Sequence, residues 1–183
     1  EALDHAGIEN NVRVNVQWID ARVFESADAD KKLQEVDAIL VPGGFGEAGV
    51  RGKIAAVTYA RENKIPYFGI CYGFQWATVE FARNVAGLKD ADSTECAPDT
   101  PVKLIYKLRD LLGVDDLGGT MRLGAYVARL APGSRVASIY GSTEISERHR
   151  HRYEVNPEYV DDLEAAGLVF GATSPDGRLM EMV

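Results

Sequence analysis

Two short apolar runs, residues 37–41 and 67–70, each break at a turn rich in glycine, and each feeds a stretch of helical period. Apolar runs without alternation are what parallel strands covered on both faces look like. The first, Asp37-Ala38-Ile39-Leu40-Val41, meets Pro42-Gly43-Gly44, and a helix follows from about Gly52 to Asn63 with Ile54, Val57 and Ala60 on its inner side. The second, Tyr67-Phe68-Gly69-Ile70, leads into a helix from Gly73 to Val85. Phe74, Ala77, Phe81 and Val85 form its inner stripe, and Gly87 ends it. Strand, helix, strand, helix with short turns defines βαβ units, which wind right-handed into a parallel sheet. The expected fold is therefore α/β and flavodoxin-like: an open, mainly parallel sheet with helices on both faces and the active site at the carboxyl ends of its strands.

The rest of the chain is less regular. An opening helix stops near Gly7, and Val12, Val14, Val16 and Trp18 alternate with polar residues as in a strand. Residues 90–100 read as a polar loop, 104–112 as a short helix, and 121–130 and 135–140 as strands. Asn156 caps a helix with Pro157 at its first position, Val160 and Leu163 inside and Gly167 at its end. Ser174-Pro175-Asp176-Gly177 joins two runs as a hairpin.

At 183 residues the chain suits one domain, and no apolar run is long enough for a membrane span. A net charge of −8 argues against nucleic acid as the main partner. Two cysteines, Cys71 and Cys96, read as separate reduced thiols of a cytoplasmic protein, and no metal-ligand pattern includes them.

Gly69-Ile70-Cys71-Tyr72-Gly73 has the form glycine, any residue, nucleophile, any residue, glycine at a strand-to-helix turn. Helix N-termini favour negative charge, and the thiolate is the attacking species. A buried cysteine acting as a small hydrophobe is the alternative, and it fits Cys96 better than Cys71. The backbone amide of Tyr72 is the natural first donor to an oxyanion, and Gly44 in the neighbouring glycine turn is the second.

These segments resemble the class I glutamine amidotransferases, and others narrow the resemblance to the glutaminase domain of the CTP synthase family. The further segments are Asp92-Ser93-Thr94-Glu95, Gly118-Gly119-Thr120-Met121-Arg122-Leu123-Gly124, the run from Glu147 to Asn156, and Thr173 to Gly177. The resemblance implies that Cys71 hydrolyses glutamine through a thioester. It also implies that Gly44, Tyr72, Gly73, Phe74 and Gln75 surround the amide. Glu95 would meet the substrate amino group and Arg152 its carboxylate, apt partners for a free amino acid. On residue types alone the Arg/His run reads equally as a basic patch or a solvated strand face, with structural roles for His149 and His151.

By resemblance, the ammonia serves a separate synthetase domain that aminates UTP to CTP using ATP and Mg²⁺, in a homo-oligomer with GTP as a possible allosteric activator. No cofactor or metal is implied for the glutaminase itself. The family's general base lies in a His-Pro-Glu segment expected beyond Val183, and its first strand is expected before Glu1. The chain thus reads as a domain clipped at both ends and poorly active alone; none of His5, His149 and His151 matches the position of the base. The family's lid commonly reads arginine-glycine-x-glutamate-glycine, where this chain has Ala48-Gly49-Val50-Arg51-Gly52, which puts the GTP response in question. Two alternatives stay open: the glutaminase of another amidotransferase, and a catalytically silent domain kept for assembly or regulation.

Overall fold

The computed structural model describes residues 1–25, 29–108 and 121–183. The first half is built as α1 (Ala2–Glu9), a 3₁₀ turn (Ala21–Glu25), α2 (Ala29–Leu33), β1 (Ile39–Val41), α3 (Val50–Asn63), β2 (Tyr67–Gly69) and α4 (Tyr72–Asn84). β1 and β2 run parallel, with Ile39 opposite Tyr67 and Val41 opposite Gly69, so β1–α3–β2 is a βαβ unit. Helix α3 starts after Gly49 and ends at Lys64, both left-handed; the Lys64 amide closes the last turn on the Ala60 and Arg61 carbonyls. Its Gly52 is pressed so closely against the 3₁₀ turn that a Cβ there would lie 1.8 Å from the Ala21 carbonyl oxygen.

A second sheet joins β3 (Ala91–Ser93), β4 (Val102–Lys107) and β7 (Tyr153–Val155) in the order β3-β4-β7. β3 is parallel to β4, and β4 is antiparallel to β7. A third, antiparallel sheet has the order β6-β5-β8-β9, formed by β5 (Arg122–Leu130), β6 (Glu144–His151), β8 (Ala172–Thr173) and β9 (Met180–Met182). Two further helices are α5 (Arg135–Tyr140) and α6 (Val160–Ala165). The α/β class holds, while parallel pairing among the described residues is confined to β1–β2 and β3–β4.

The main core gathers Tyr72, Trp76 and Val79 of α4 with Leu104, Ile105, Val155 and Leu163. A smaller cluster packs Leu33, Ile39 and Val41 against Ala56 and Ala60. Between α3 and α4 lies Glu80, only 1% exposed. Its carboxylate accepts from Arg61 at 2.9 Å, Thr58 at 3.0 Å and Asn84 at 2.9 Å. A buried charge needs that degree of satisfaction to be tolerated.

Several expectations are corrected. Residues 104–107 are strand, not helix: Leu104 and Ile105 are both fully buried in β4, between α4 and the neighbouring strands. The expected helix at 109–112 and the segment 118–120 fall outside the described residues. Residues 135–140 form a helix rather than a strand, because Ser134 accepts the Ala137 amide as N-cap and Gly141 closes the turn in the left-handed region. The polar stretch 90–100 contains β3. Residues 12–18 pair with no strand among the described residues, and Trp18 is 88% exposed; alternation alone cannot make a strand without a ladder partner. The outward side chains of β1 and β2 are not covered either, with Leu40 at 39% and Phe68 at 61% exposure. The inner stripe of α4 runs through Tyr72, Trp76 and Val79, while Phe74 and Phe81 are partly buried and Val85 is exposed.

Candidate active site

Cys71 occupies the N-cap position of α4 with φ 53° and ψ −101°, a region that L-residues avoid. The surrounding glycines explain how the bend is held. A Cβ on Gly69 would lie 2.6 Å from the Gly73 carbonyl carbon and the Phe74 nitrogen, and a Cβ on Gly73 would lie 2.2 Å from the Val41 oxygen. The Ile70 amide donates to that same Val41 carbonyl at 2.9 Å, which locks the elbow to the end of β1. The amide of Gly73 turns back to the Ile70 carbonyl at 3.0 Å and that of Gln75 to the Cys71 carbonyl at 3.0 Å. Tyr72, at the first helical position, has no intrahelical acceptor for its amide. The thiol itself is partly exposed.

The glycine turn after β1 lies against the elbow. A Cβ on Gly43 would sit 3.5 Å from the Cys71 Cβ, and one on Gly44 would sit 3.4 Å from the Tyr72 ring. The Tyr72 side chain is 1% exposed, and its hydroxyl donates to the Gly46 carbonyl and lies 3.6 Å from the Cys96 Sγ. Burial pushes the Tyr72 phenol well above its usual range. Burial likewise raises the Cys96 thiol, in keeping with a packing role. The Gly46 amide donates to Glu95 Oε1 at 3.0 Å, so Glu95 and the glycine turn belong to one neighbourhood. A cavity of about 340 Å³ opens nearby, lined in part by Glu47, Arg51, Trp76, Arg83 and Cys96; Cys71 is not among its walls.

The remaining expected residues divide. Gly73 is the close-packed seat of the elbow, and Phe74 packs against the main core. Gln75 is buried, and its side-chain nitrogen donates to the Tyr153 carbonyl at 2.9 Å, tying the first turn of α4 to β7. Arg152 is exposed, with its guanidinium 3.7 Å from the Met121 sulfur.

His151, at the end of β6, places its Nδ1 3.4 Å from Glu154 Oε1. Burial opposes a charge on this imidazole, but the adjoining sulfur and carboxylate outweigh it and hold its pKa up at about 10. His149 and His151 do share one strand face, as their spacing requires, with ring centroids 5.2 Å apart.

A cysteine on a strained strand-to-helix elbow, beside a glycine turn, is the arrangement that acyl transfer through a thiolate uses in α/β domains. The chain belongs to the class-I glutamine amidotransferase family, whose model matches residues 1–183. It is 56% identical over 185 residues to a CTP synthase of Koribacter versatilis, covering 100% of this chain and 33% of the relative. It is 58% identical over 178 residues to a CTP synthase of Thermus thermophilus, covering 97% of this chain and 32% of the relative. The chain thus spans about a third of the length of these curated relatives. Among solved structures it is similar to the glutaminase domain of Trypanosoma brucei CTPS with bound acivicin. That match has a TM-score of 0.86 and 40% identity and covers 97% of this chain and 69% of that one.

Proposed function

We propose that this chain is the glutamine-hydrolysing part of a CTP synthase and that Cys71 is its nucleophile. The observation that carries the reading is the Cys71 elbow, a left-handed non-glycine residue held at a helix N-terminus by two glycines that tolerate no side chain. In the first step the Cys71 thiolate attacks the side-chain amide carbon of glutamine, forming the S–C bond. The Tyr72 amide and Gly44 stabilise the oxyanion, the C–N bond breaks, and nitrogen leaves as ammonia after taking up a proton. Water then hydrolyses the thioester to glutamate and regenerates the thiol. Glu95 receives the substrate amino group and Arg152 its carboxylate. Glu95 already accepts from the glycine turn through the Gly46 amide.

The ammonia passes to a synthetase domain that binds UTP and uses ATP with Mg²⁺ to make CTP. The similarity to whole CTP synthases along a third of their length supports this partner. Homo-oligomer assembly, and a GTP response altered by the changed lid at 48–52, are further parts of the same reading.

The test is covalent labelling with 6-diazo-5-oxo-L-norleucine, a diazoketone carried on the glutamine backbone, followed by peptide mass mapping. Modification of Cys71 and not Cys96, together with loss of glutaminase activity in Cys71→Ala, is the expected result. Labelling of Cys96 alone would overturn the assignment.

A further inference from the structure

The side chain of Tyr72 touches the glycine turn after β1 at two points, two residues apart. Its ring lies 3.4 Å from where a Cβ on Gly44 would stand, and its hydroxyl donates to the Gly46 carbonyl. Phe45, the side chain between those points, is 87% exposed, so the turn gains little packing of its own. Glycine populates both signs of φ, and Gly46 sits in the left-handed region at φ 75°, so such a turn needs outside contacts to hold one shape. The Tyr72 ring is itself fixed. It is 1% exposed and meets the Trp76 ring edge to face, with centroids 5.6 Å apart and planes at 89°. Lys53 Nζ stands 5.6 Å from the Tyr72 ring centroid and donates to the Ala48 carbonyl at 2.8 Å, which brings the far end of the turn to the same ring. Cys96 Sγ, 3.6 Å from the hydroxyl, is a weaker second partner. Burial keeps the phenol protonated well above the usual range, so the Gly46 carbonyl retains its donor.

Resting on the reading of Cys71 as the nucleophile, with the Tyr72 amide and Gly44 as oxyanion donors, we propose that the Tyr72 side chain is a positioning residue for the second donor. With Gly44 against its ring and Gly46 on its hydroxyl, it aims the Gly44 amide at the point its own amide already faces. The backbone of Tyr72 supplies one donor and its side chain places the other, so a single buried residue sets their separation. Oxyanion stabilisation depends on donors that are in place before charge develops, and loss of one donor typically costs about 10²–10³ in rate. A donor left in the turn but allowed to wander forfeits part of that. The sulfur is outside this arrangement: the hydroxyl reaches Gly46 and Cys96, so the intrinsic reactivity of Cys71 is separable from support of the oxyanion.

The experiment compares wild type with Tyr72→Phe, which keeps the ring and its packing and removes only the hydroxyl. The probe is L-glutamate γ-semialdehyde, an aldehyde on the glutamine backbone. The Cys71 thiolate adds to its carbonyl carbon, the S–C bond forms, and the carbonyl π pair moves to oxygen, with no leaving group. The dissociation constant is read from protection of Cys71 against iodoacetamide, followed by peptide mass mapping. Tyr72→Phe is expected to weaken the aldehyde by about 10-fold while the iodoacetamide rate without aldehyde, which needs no oxyanion donor, stays within about 2-fold. Cys96→Ala, which leaves the Gly46 bond in place, is expected to keep the aldehyde constant within about 2-fold. An aldehyde constant unmoved by Tyr72→Phe overturns the proposal. So does a parallel fall in the iodoacetamide rate, which would mean that the sulfur and not the turn had shifted. As a readout without any ligand, exchange of the Gly46 amide by NMR is expected to quicken by about 5-fold in Tyr72→Phe, and an identical rate counts against the proposal. Absence of the diazoketone label on Cys71 would instead end the nucleophile reading, so the two ideas fail separately.

Discussion

Replacing Gly73 by alanine sets two simple expectations against each other. Helix propensity alone favours alanine over glycine by about 1 kcal/mol inside a helix, so a reader of the sequence would expect Gly73→Ala to stabilise α4. The packing says otherwise, because the new Cβ would stand 2.2 Å from the Val41 oxygen and 3.0 Å from the Val41 carbonyl carbon and Cβ. Ordinary contact needs roughly 3.4 Å or more, so the elbow and the end of β1 must separate by about 1 Å. All three atoms belong to one residue of a strand, and two of them are backbone, so no flexible side-chain tip can yield. Overpacking of this kind costs about 1–3 kcal/mol. The same separation strains the 2.9 Å bond from Ile70 to the Val41 carbonyl, which adds about 1 kcal/mol. Against the propensity gain, the net is a destabilisation of about 1–3 kcal/mol, or a fall in melting temperature of about 3–10 °C for a chain of this size. Thermal unfolding followed by circular dichroism, with Cys71 alkylation at neutral pH on the same sample, provides the readout. An unchanged or raised melting temperature, with the alkylation rate intact, would refute the claim that close approach dictates glycine at this position.

Arg61→Met strands the Glu80 carboxylate in the interior and is expected to cost about 3–5 kcal/mol by denaturant unfolding, with much of the loss recovered by Arg61→Met/Glu80→Leu. For His151 the folded-state pKa lies above the ordinary 6.5, so its contribution is full below about pH 6.5 and fades as pH rises towards 10. The melting temperature should accordingly fall between pH 7 and 9.5 more steeply in the wild type than in His151→Gln. The difference between the two is the readout, because Cys96, raised by burial, adds a loss of the same sign near the top of that range. Steady-state kinetics of Glu95→Gln and Arg152→Ala are expected to show kcat/KM for glutamine lowered by about 10- to 100-fold, each removing one charge-assisted contact to the substrate.

What the residue order made legible is what local spacing controls. The elbow, the start of α4, the Asn156 cap and the closing hairpin were all readable, because each depends on residues within one or two turns of each other. Residues 104–107 and 135–140 were exchanged between strand and helix because six residues do not separate the two periods. In the first case the neighbours β3 and β7 decide, and in the second the caps at Ser134 and Gly141 do. The stripe of α4 was misplaced because that helix is buried on more than one side, so its apolar residues no longer mark a single direction. His151 could be placed on a strand face, but its position opposite Arg122 of β5 is a matter of register, which spacing along one strand does not record.

Gly46 is held from both ends of its own peptide environment, with its amide engaged by Glu95 and its carbonyl by the ring hydroxyl of Tyr72. One consequence is mechanical. The turn after β1 works as a spacer clipped between the helix that carries the sulfur and the bend that carries the acid, so neither can drift without pulling on the other. Inserting or deleting a single residue between Gly43 and Gly46 would release both clips at once, and the stretch should therefore tolerate changes of identity far better than changes of length.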